Sequence, residues 1–179
     1  MPELVSPTSR VMASFLEAMD EYVAEGARDT QTAGWIEKYS ATWHSAEGFA
    51  AFVDQLAAEE VDRSRLPERW VLTSTRWYVD GETYLGRIAL RQELNDFLAD
   101  IGGHIGYDVR PSARRRGHAT AMLRGMLPLA HGFGIDPALV TCDDDNVGSI
   151  RAIEASGGAL ESLRGDKRRY WVPTAGQSH

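Results

Sequence analysis

Apolar residues recur three and four apart between Thr8 and Glu25, at Val11, Met12, Phe15, Leu16, Met19, Tyr22 and Val23. That spacing lays one stripe along a helix and predicts an amphipathic helix whose stripe faces a core. Ser6-Pro7 reads as its N-cap and first helical residue, and Gly26 as its stop. Leu4-Val5 predicts a short edge strand ahead of it. Trp35, Tyr39 and Trp43 then recur every four residues, which fits either a helical face or a loop pinned by aromatics. Ser45 caps a second predicted helix, with Phe49, Phe52, Val53, Leu56 and Ala57 on one side.

The pattern changes after the polar connector Arg65–Arg69. Trp70–Val79 is rich in β-formers, Asp80-Gly81 is a strong hairpin turn, and Glu82–Leu90 supplies the return strand. Arg91–Ala99 reads as a short helical or looped insertion and Ile101–Val109 as the next strand. A helix from about Arg116 to Phe133 follows, closed by Gly132 and Gly134, and then a buried-type strand Ala138–Cys142. Asp143-Asp144-Asp145-Asn146 leads into a helix over Val147–Ala155, ended by Gly157-Gly158. A final hairpin, Ala159–Leu163 with Lys167–Val172, turns at Gly165-Asp166. The order predicts an α/β (α+β) domain over residues 1–173, with a helical N-terminal part at 1–66 and a core at 67–173. Within it, 101–142 forms a β-α-β unit whose strands run parallel. Residues 174–179 carry no core-forming pattern and are expected to form a flexible tail.

Composition narrows the function classes. At 179 residues, 43% hydrophobic and 25% charged, the chain suits one globular domain. A net charge of −7 argues against a nucleic-acid partner. The N-terminus has neither the basic start nor the apolar run of a secretory leader, and no stretch is long enough for a membrane span. A lone cysteine, Cys142, excludes an internal disulfide, and no His/Cys cluster has metal-ligand spacing. A cytoplasmic protein with no metal is therefore expected.

The chemistry concentrates at 101–124. A predicted strand reaches Val109-Arg110-Pro111, and Arg114, Arg115, Arg116 and Gly117 run straight into a helix. A helix start leaves about four backbone N–H groups without partners, which with the dipole make an anion site. Gly117 permits close approach of a ligand, and the arginines add charge for phosphate oxygens.

Arg114-x-x-Gly117-x-Ala119 in this setting resembles the acyl-CoA-binding signature [QR]-x-x-G-x-[GA] of the GNAT acetyltransferases. Asn146-Val-Gly-Ser149, followed by a helix ending at Gly157-Gly158, is similar to a second motif of that family. The run Leu90-Arg-x-x-Leu-Asn, Gly102-Gly-His-Ile-Gly-Tyr and Arg169-Tyr-Trp resembles a bacterial subgroup of it. The resemblance covers most of 68–173 and implies a mixed sheet whose parallel strand pair splays apart to admit the pantetheine arm of acetyl-CoA. It implies pantetheine contacts from the Val109 backbone, Asn146 and Ser149. It also implies a phosphate site made by Arg114, Arg115, Arg116, Gly117, His118, Ala119 and Thr120. The ordinary alternatives are a solvated basic helix start for the arginines and a plain N-cap for Asn146.

The resemblance further implies transfer of an acetyl group to a primary amine by direct attack. Many members carry, seven residues past the asparagine, a tyrosine that acts as acid for the departing thiolate. Here that position is Ile153, and Tyr170 is a distant substitute. A base is expected on the strand at 101–109: His104, with an unperturbed pKa near 6.5, or Asp108, on the same face by the period-two rule. Trp77, Arg91 and Asn95 are expected to border the acceptor cleft, against a plainer role in packing or solvating the sheet edge. A small-molecule amine is the first expectation. A protein or peptide amine, or a non-catalytic CoA-binding sensor, are the alternatives, and a homodimer is compatible with all of them.

Overall fold

The computed structural model describes residues 1–176 of the chain. Five α-helices and seven strands alternate through it. They are β1 (Glu3–Val5), α1 (Met12–Glu25), α2 (Gln31–Tyr39), α3 (Ala46–Glu59), β2 (Thr73–Asp80), β3 (Thr83–Arg91), β4 (Ile105–Val109), α4 (His118–Gly132), β5 (Ala138–Asp143), α5 (Val147–Ala155), β6 (Ala159–Arg164) and β7 (Lys167–Val172). The strands form one sheet in the order β1-β2-β3-β4-β5-β7-β6.

The sheet separates two cores. On one face, Tyr78, Ile88, Leu90, Ile105, Val140 and Cys142 pack with Met122, Leu123 and Met126 of α4 and Ile153 of α5. On the other, the N-terminal helices bring Phe15, Trp35, Trp43, Phe49 and Phe52 against Trp77, Val79 and Tyr84. Phe15 is the hub of that second core, stacked on Trp77 at 4.9 Å and edge-on to Trp43, Phe49 and Tyr84. The aromatics at 27–44 therefore sit partly on a helix, with Trp35 inside α2 and Trp43 just before α3.

Several boundaries differ from the sequence expectation, each for a local reason. The first helix is entered through a 3-10 turn at Ser9–Val11 whose N-cap is Thr8, since the Thr8 hydroxyl, not that of Ser6, accepts the N–H of Arg10. The first hairpin pairs Asp80 with Thr83, so its loop is Gly81-Glu82 and the turn lies one residue later than Asp80-Gly81. The third strand of the core starts at Ile105, not Ile101, because Leu98–Gly102 winds into a π-type turn that covers β5. The tail is held at Thr174, which is buried and bonded to Asp136 and the Ile135 carbonyl. Residues 177–179 lie outside the described residues.

β4 and β5 run parallel and share a single register pair, Ile105 with Val140. Beyond it the two strands diverge, and each is held instead by an antiparallel neighbour, β3 on one side and β7 on the other. Past that pair the facing edges of β4 and β5 have no ladder partner in each other, which leaves a V-shaped gap in the pairing with α4 and α5 packed on one face.

Candidate functional site

The opening is bounded by the end of β4, the N-terminus of α4 and the N-terminus of α5. Past Val109 the chain makes a short 3-10 turn over Pro111–Ala113 and reaches α4 through two left-handed residues, Arg115 at φ 65° and Gly117 at φ 82°. Among the described residues, the backbone N–H groups of Arg115, Arg116, Gly117, His118, Ala119 and Thr120 find no protein acceptor, the next bond in line being Ala121 N–H to the Gly117 carbonyl. Gly117 is the N-cap and offers no side-chain oxygen to any of them. Six adjacent unpaired donors at a helix start form an anion cradle.

The loop is held from outside by a ladder of acids on α1. Glu17, Glu21 and Glu25 stand four residues apart, on one helix face. Arg110 bonds Glu21 at 2.7 Å and reaches Glu17 at 3.4 Å. Ser112 gives Glu21 both its N–H and its hydroxyl. Arg114 makes a bidentate pair with Glu25 at 2.6 and 2.8 Å and also donates to the Val109 carbonyl. Burial would raise the Glu21 carboxyl, but Arg110 and Ser112 bring it below its usual value. Arg114 is thus committed to α1, and the exposed Arg115 and Arg116 make no salt bridge among the described residues. His118 turns its ring onto Tyr78 at 5.5 Å, so its backbone rather than its imidazole faces the cradle.

Across the V, Asn146 caps α5, accepting the N–H of Ser149 on its side-chain oxygen at 3.1 Å. Its remaining amide group is exposed at the carboxyl end of β5. Asp143 and Asp144, in the acidic run before it, are engaged by Lys167 and Arg168 of β7. Ile153 is fully buried in the α4-side core.

His104 and Asp108 have other occupations. His104 is 8% exposed and its Nδ1 accepts the Leu139 N–H at 2.8 Å. Burial, helped by the neighbouring Arg91 charge, pushes its pKa down, in keeping with the acceptor role of Nδ1, which only the neutral ring can play. A neutral imidazole that accepts at Nδ1 carries its proton on Nε2 and has no lone pair left for a substrate. It serves as a joint between β4 and β5 at the point of the V. Asp108 Oδ2 takes Arg87 Nε and Nη2 at 3.0 and 2.6 Å and the Thr32 hydroxyl at 2.7 Å. Burial alone would raise its carboxyl, but the Arg87 charge and the Thr32 bond hold it below the usual range. Arg87 also bonds Gln31 and lies over the Trp35 ring, which ties α2 down onto β3 and β4.

The residues expected at the acceptor cleft are not brought together. Trp77 is fully buried in the aromatic core, because that face of β2 lies under α1 and α3, and its indole borders no cleft. Asn95 is used locally, bonding the Arg69 carbonyl and the Leu98 N–H. Arg91 lies across Gly106 of β4 and donates to the carbonyls of Gly102 and Gly103, and burial lowers its pKa to about 10. Gly106 carries no side chain to block that placement.

The sequence reading missed the acid ladder, the Arg87–Asp108–Thr32 network and Tyr107. The ladder had a signal, three glutamates at helical spacing in a chain with an arginine run. The other two depend on which strands become neighbours. Tyr107 stands two residues past the last parallel pair, on the α4 face, and among the described residues its buried hydroxyl has no hydrogen-bond partner.

The acetyltransferase (GNAT) domain model matches residues 12–159. No curated protein matches the sequence. Among solved structures, the fold is similar to that of the PaiA N-acetyltransferase from Thermoplasma acidophilum in complex with coenzyme A, at 12% identity over 97% of this chain and 99% of that one, TM-score 0.59. It is similar also to the microcin C7 self-immunity acetyltransferase MccE bound to acetyl-CoA and AMP, at 11% identity over 96% and 92%, TM-score 0.63. A third is the ribosomal L7/L12 alpha-N-protein acetyltransferase RimL in complex with coenzyme A, at 14% identity over 98% and 96%, TM-score 0.63. At these identities the likeness is one of fold.

Proposed function

The chain belongs to the GNAT acetyltransferase family, and from that premise we propose that it moves an acetyl group from acetyl-CoA to a primary amine of a small molecule by direct attack in a ternary complex. The observation that carries the donor half is the row of unpaired N–H groups at 115–120 beside strands that part after one register pair. The cradle takes the pyrophosphate, and the exposed Arg115 and Arg116 meet the outlying phosphate oxygens. The freed edge of β4 up to Val109, with Asn146 and Ser149 opposite, lines the pantetheine arm. Bound acetyl-CoA supplies an activated acyl group, so the protein's task is to hold the amine against the thioester carbonyl, an effect worth up to about 7–11 kcal/mol.

A compact acceptor is favoured by the way α2 is fastened over the sheet. Gln31 and Thr32 bind the Arg87–Asp108 pair directly above β4, which narrows the approach on the face opposite α4. With the free lone pair of neutral His104 already used and Asp108 held in its low-pKa ion pair, neither has the properties of a base. The amine therefore enters as its own free base, and its proton leaves to water.

The test is thiol release from acetyl-CoA in the presence of small primary amines and of peptides with free amino termini. Release with small amines is the expected result. Preference for the peptides would move the acceptor to protein amines, and tight CoA binding with no release under any amine would make the protein a sensor.

A further inference from the structure

We propose that the Tyr107 hydroxyl is the hydrogen-bond donor to the sulfur of coenzyme A as it departs, a role that falls to β4 because position 153 of α5 is occupied by a core isoleucine. The inference rests on the acetyl-CoA reading above.

Five buried side-chain polar atoms lack a partner among the described residues: Tyr22, Thr75, Trp77, Tyr84 and Tyr107. Tyr22, Trp77 and Tyr84 belong to the aromatic core under the N-terminal helices, and Thr75 lies on that same face of β2. Tyr107 alone stands on the α4 face. Buried hydroxyls are nearly always bonded, so an orphan in this position calls for an explanation. Its surroundings supply one. Ile105 is the last residue of β4 to pair with β5, and Tyr107 is the next side chain along on the same face. Cys142 stands in the equivalent place on β5, two residues past Val140. Ser149 of α5 stands beside the hydroxyl, close enough to restrain its pKa yet outside hydrogen-bond geometry. A phenol, a thiol and a serine hydroxyl thus come together just past the last β4–β5 register pair, which is where an arm running from the helix start along Val109 would end. Ile153 is fully buried in the same core and projects no polar atom there.

Chemistry decides what the phenol does. The amine lone pair forms the C–N bond. The C–S bond then breaks with its electron pair on sulfur, and the nitrogen sheds a proton to water. Burial pushes the Tyr107 phenol up to about 12, whereas an ordinary thiol titrates near 8.5. Proton transfer from this phenol to the thiolate is uphill, so the proton stays on oxygen and the hydroxyl stabilises the charge on sulfur through a bond. The thiolate is protonated by water after it leaves.

The test compares the affinities of coenzyme A and desulfo-coenzyme A for the parent protein and for Tyr107→Phe, at a pH above the ordinary thiol value. A bond to a charged group predicts a loss of about 10- to 100-fold for coenzyme A, with desulfo-coenzyme A changed by less than about 2-fold on the same argument. Equal loss for both ligands, or no loss for either, would overturn the inference while leaving the acetyl-CoA reading intact. Failure of the parent protein to bind either ligand would overturn that reading itself. Should the phenylalanine variant not fold, Tyr107→3-fluorotyrosine keeps the question open to measurement. Its more acidic phenol should tighten coenzyme A and leave desulfo-coenzyme A unchanged, and the absence of any difference would refute the assignment.

Discussion

Replacing Asp108 by asparagine separates two roles that its place on β4 otherwise confounds. The carboxylate is 16% exposed and its partner Arg87 only 3%. Asp108→Asn keeps the shape and one acceptor for Thr32, but leaves the Arg87 guanidinium buried without an anion. Breaking one side of a buried ion pair costs about 3–5 kcal/mol. Because asparagine still accepts one bond, about 3 kcal/mol is the expected loss, against a total of roughly 5–15 kcal/mol for a domain. For a chain of this size that corresponds to a fall in Tm of about 6–12 °C. The measurement is urea unfolding at neutral pH with linear extrapolation. Its pH dependence has a definite sign. The native carboxyl titrates below the unfolded one, so its stabilisation is complete above the unfolded value near 4 and drains away as pH falls through the native value. The gap between parent and variant should therefore narrow in acid. Adding Arg87→Met to Asp108→Asn removes the stranded charge and should recover most of the loss. If Asp108→Asn were as stable as the parent yet inactive at every pH, the structural account would be wrong and Asp108 would be the base.

Three more outcomes follow from the geometry. Since His104 is neutral and accepts the Leu139 N–H, His104→Gln should leave the pH profile of thiol release unchanged, following the amine's own ionisation. The same variant should flatten the fall in stability that protonation of an unfolded-state histidine produces below about pH 6.5, whereas an inflection near that pH in the rate of thiol release, present in the parent and lost in the variant, would restore His104 as base. Gly117 holds φ 82° with no heavy atom near a prospective Cβ, so Gly117→Ala should cost only the left-handed backbone strain, about 1–2 kcal/mol. It should also weaken coenzyme A, because the added Cβ stands where the ligand would approach the backbone, and calorimetry showing unchanged affinity would refute the close approach of phosphate. The Cys142 thiol, pushed by burial to about 11, should react with a disulfide reagent at pH 8 about two orders of magnitude more slowly than a free cysteine, measured by chromophore release in native protein.

Local chemistry determined much of this protein from sequence alone. The helical stripe at 11–23, the Ser45 cap, the Gly165-Asp166 turn and the parallel β-α-β unit each follow from a short-range rule of spacing, propensity or handedness. The row of unpaired backbone donors at 115–120 also follows, since a helix start after Arg-Arg-Gly exposes them whatever surrounds it. What the tertiary structure decided was which side chains are free. Trp77 and Asp108 looked available because their strands were known and the cover over those strands was not. Once α1 and α3 lay on β2, and Thr32 of α2 met Asp108, the first became core and the second half of an ion pair. His104 lost its lone pair to Leu139, a partner 35 residues away. Tyr107 gained its position only because β4 and β5 pair once and then part. The helix start within 101–124 could be recognised from sequence because its donors belong to the backbone, whereas which side chains near it are buried, paired or free depends on contacts made by distant parts of the chain.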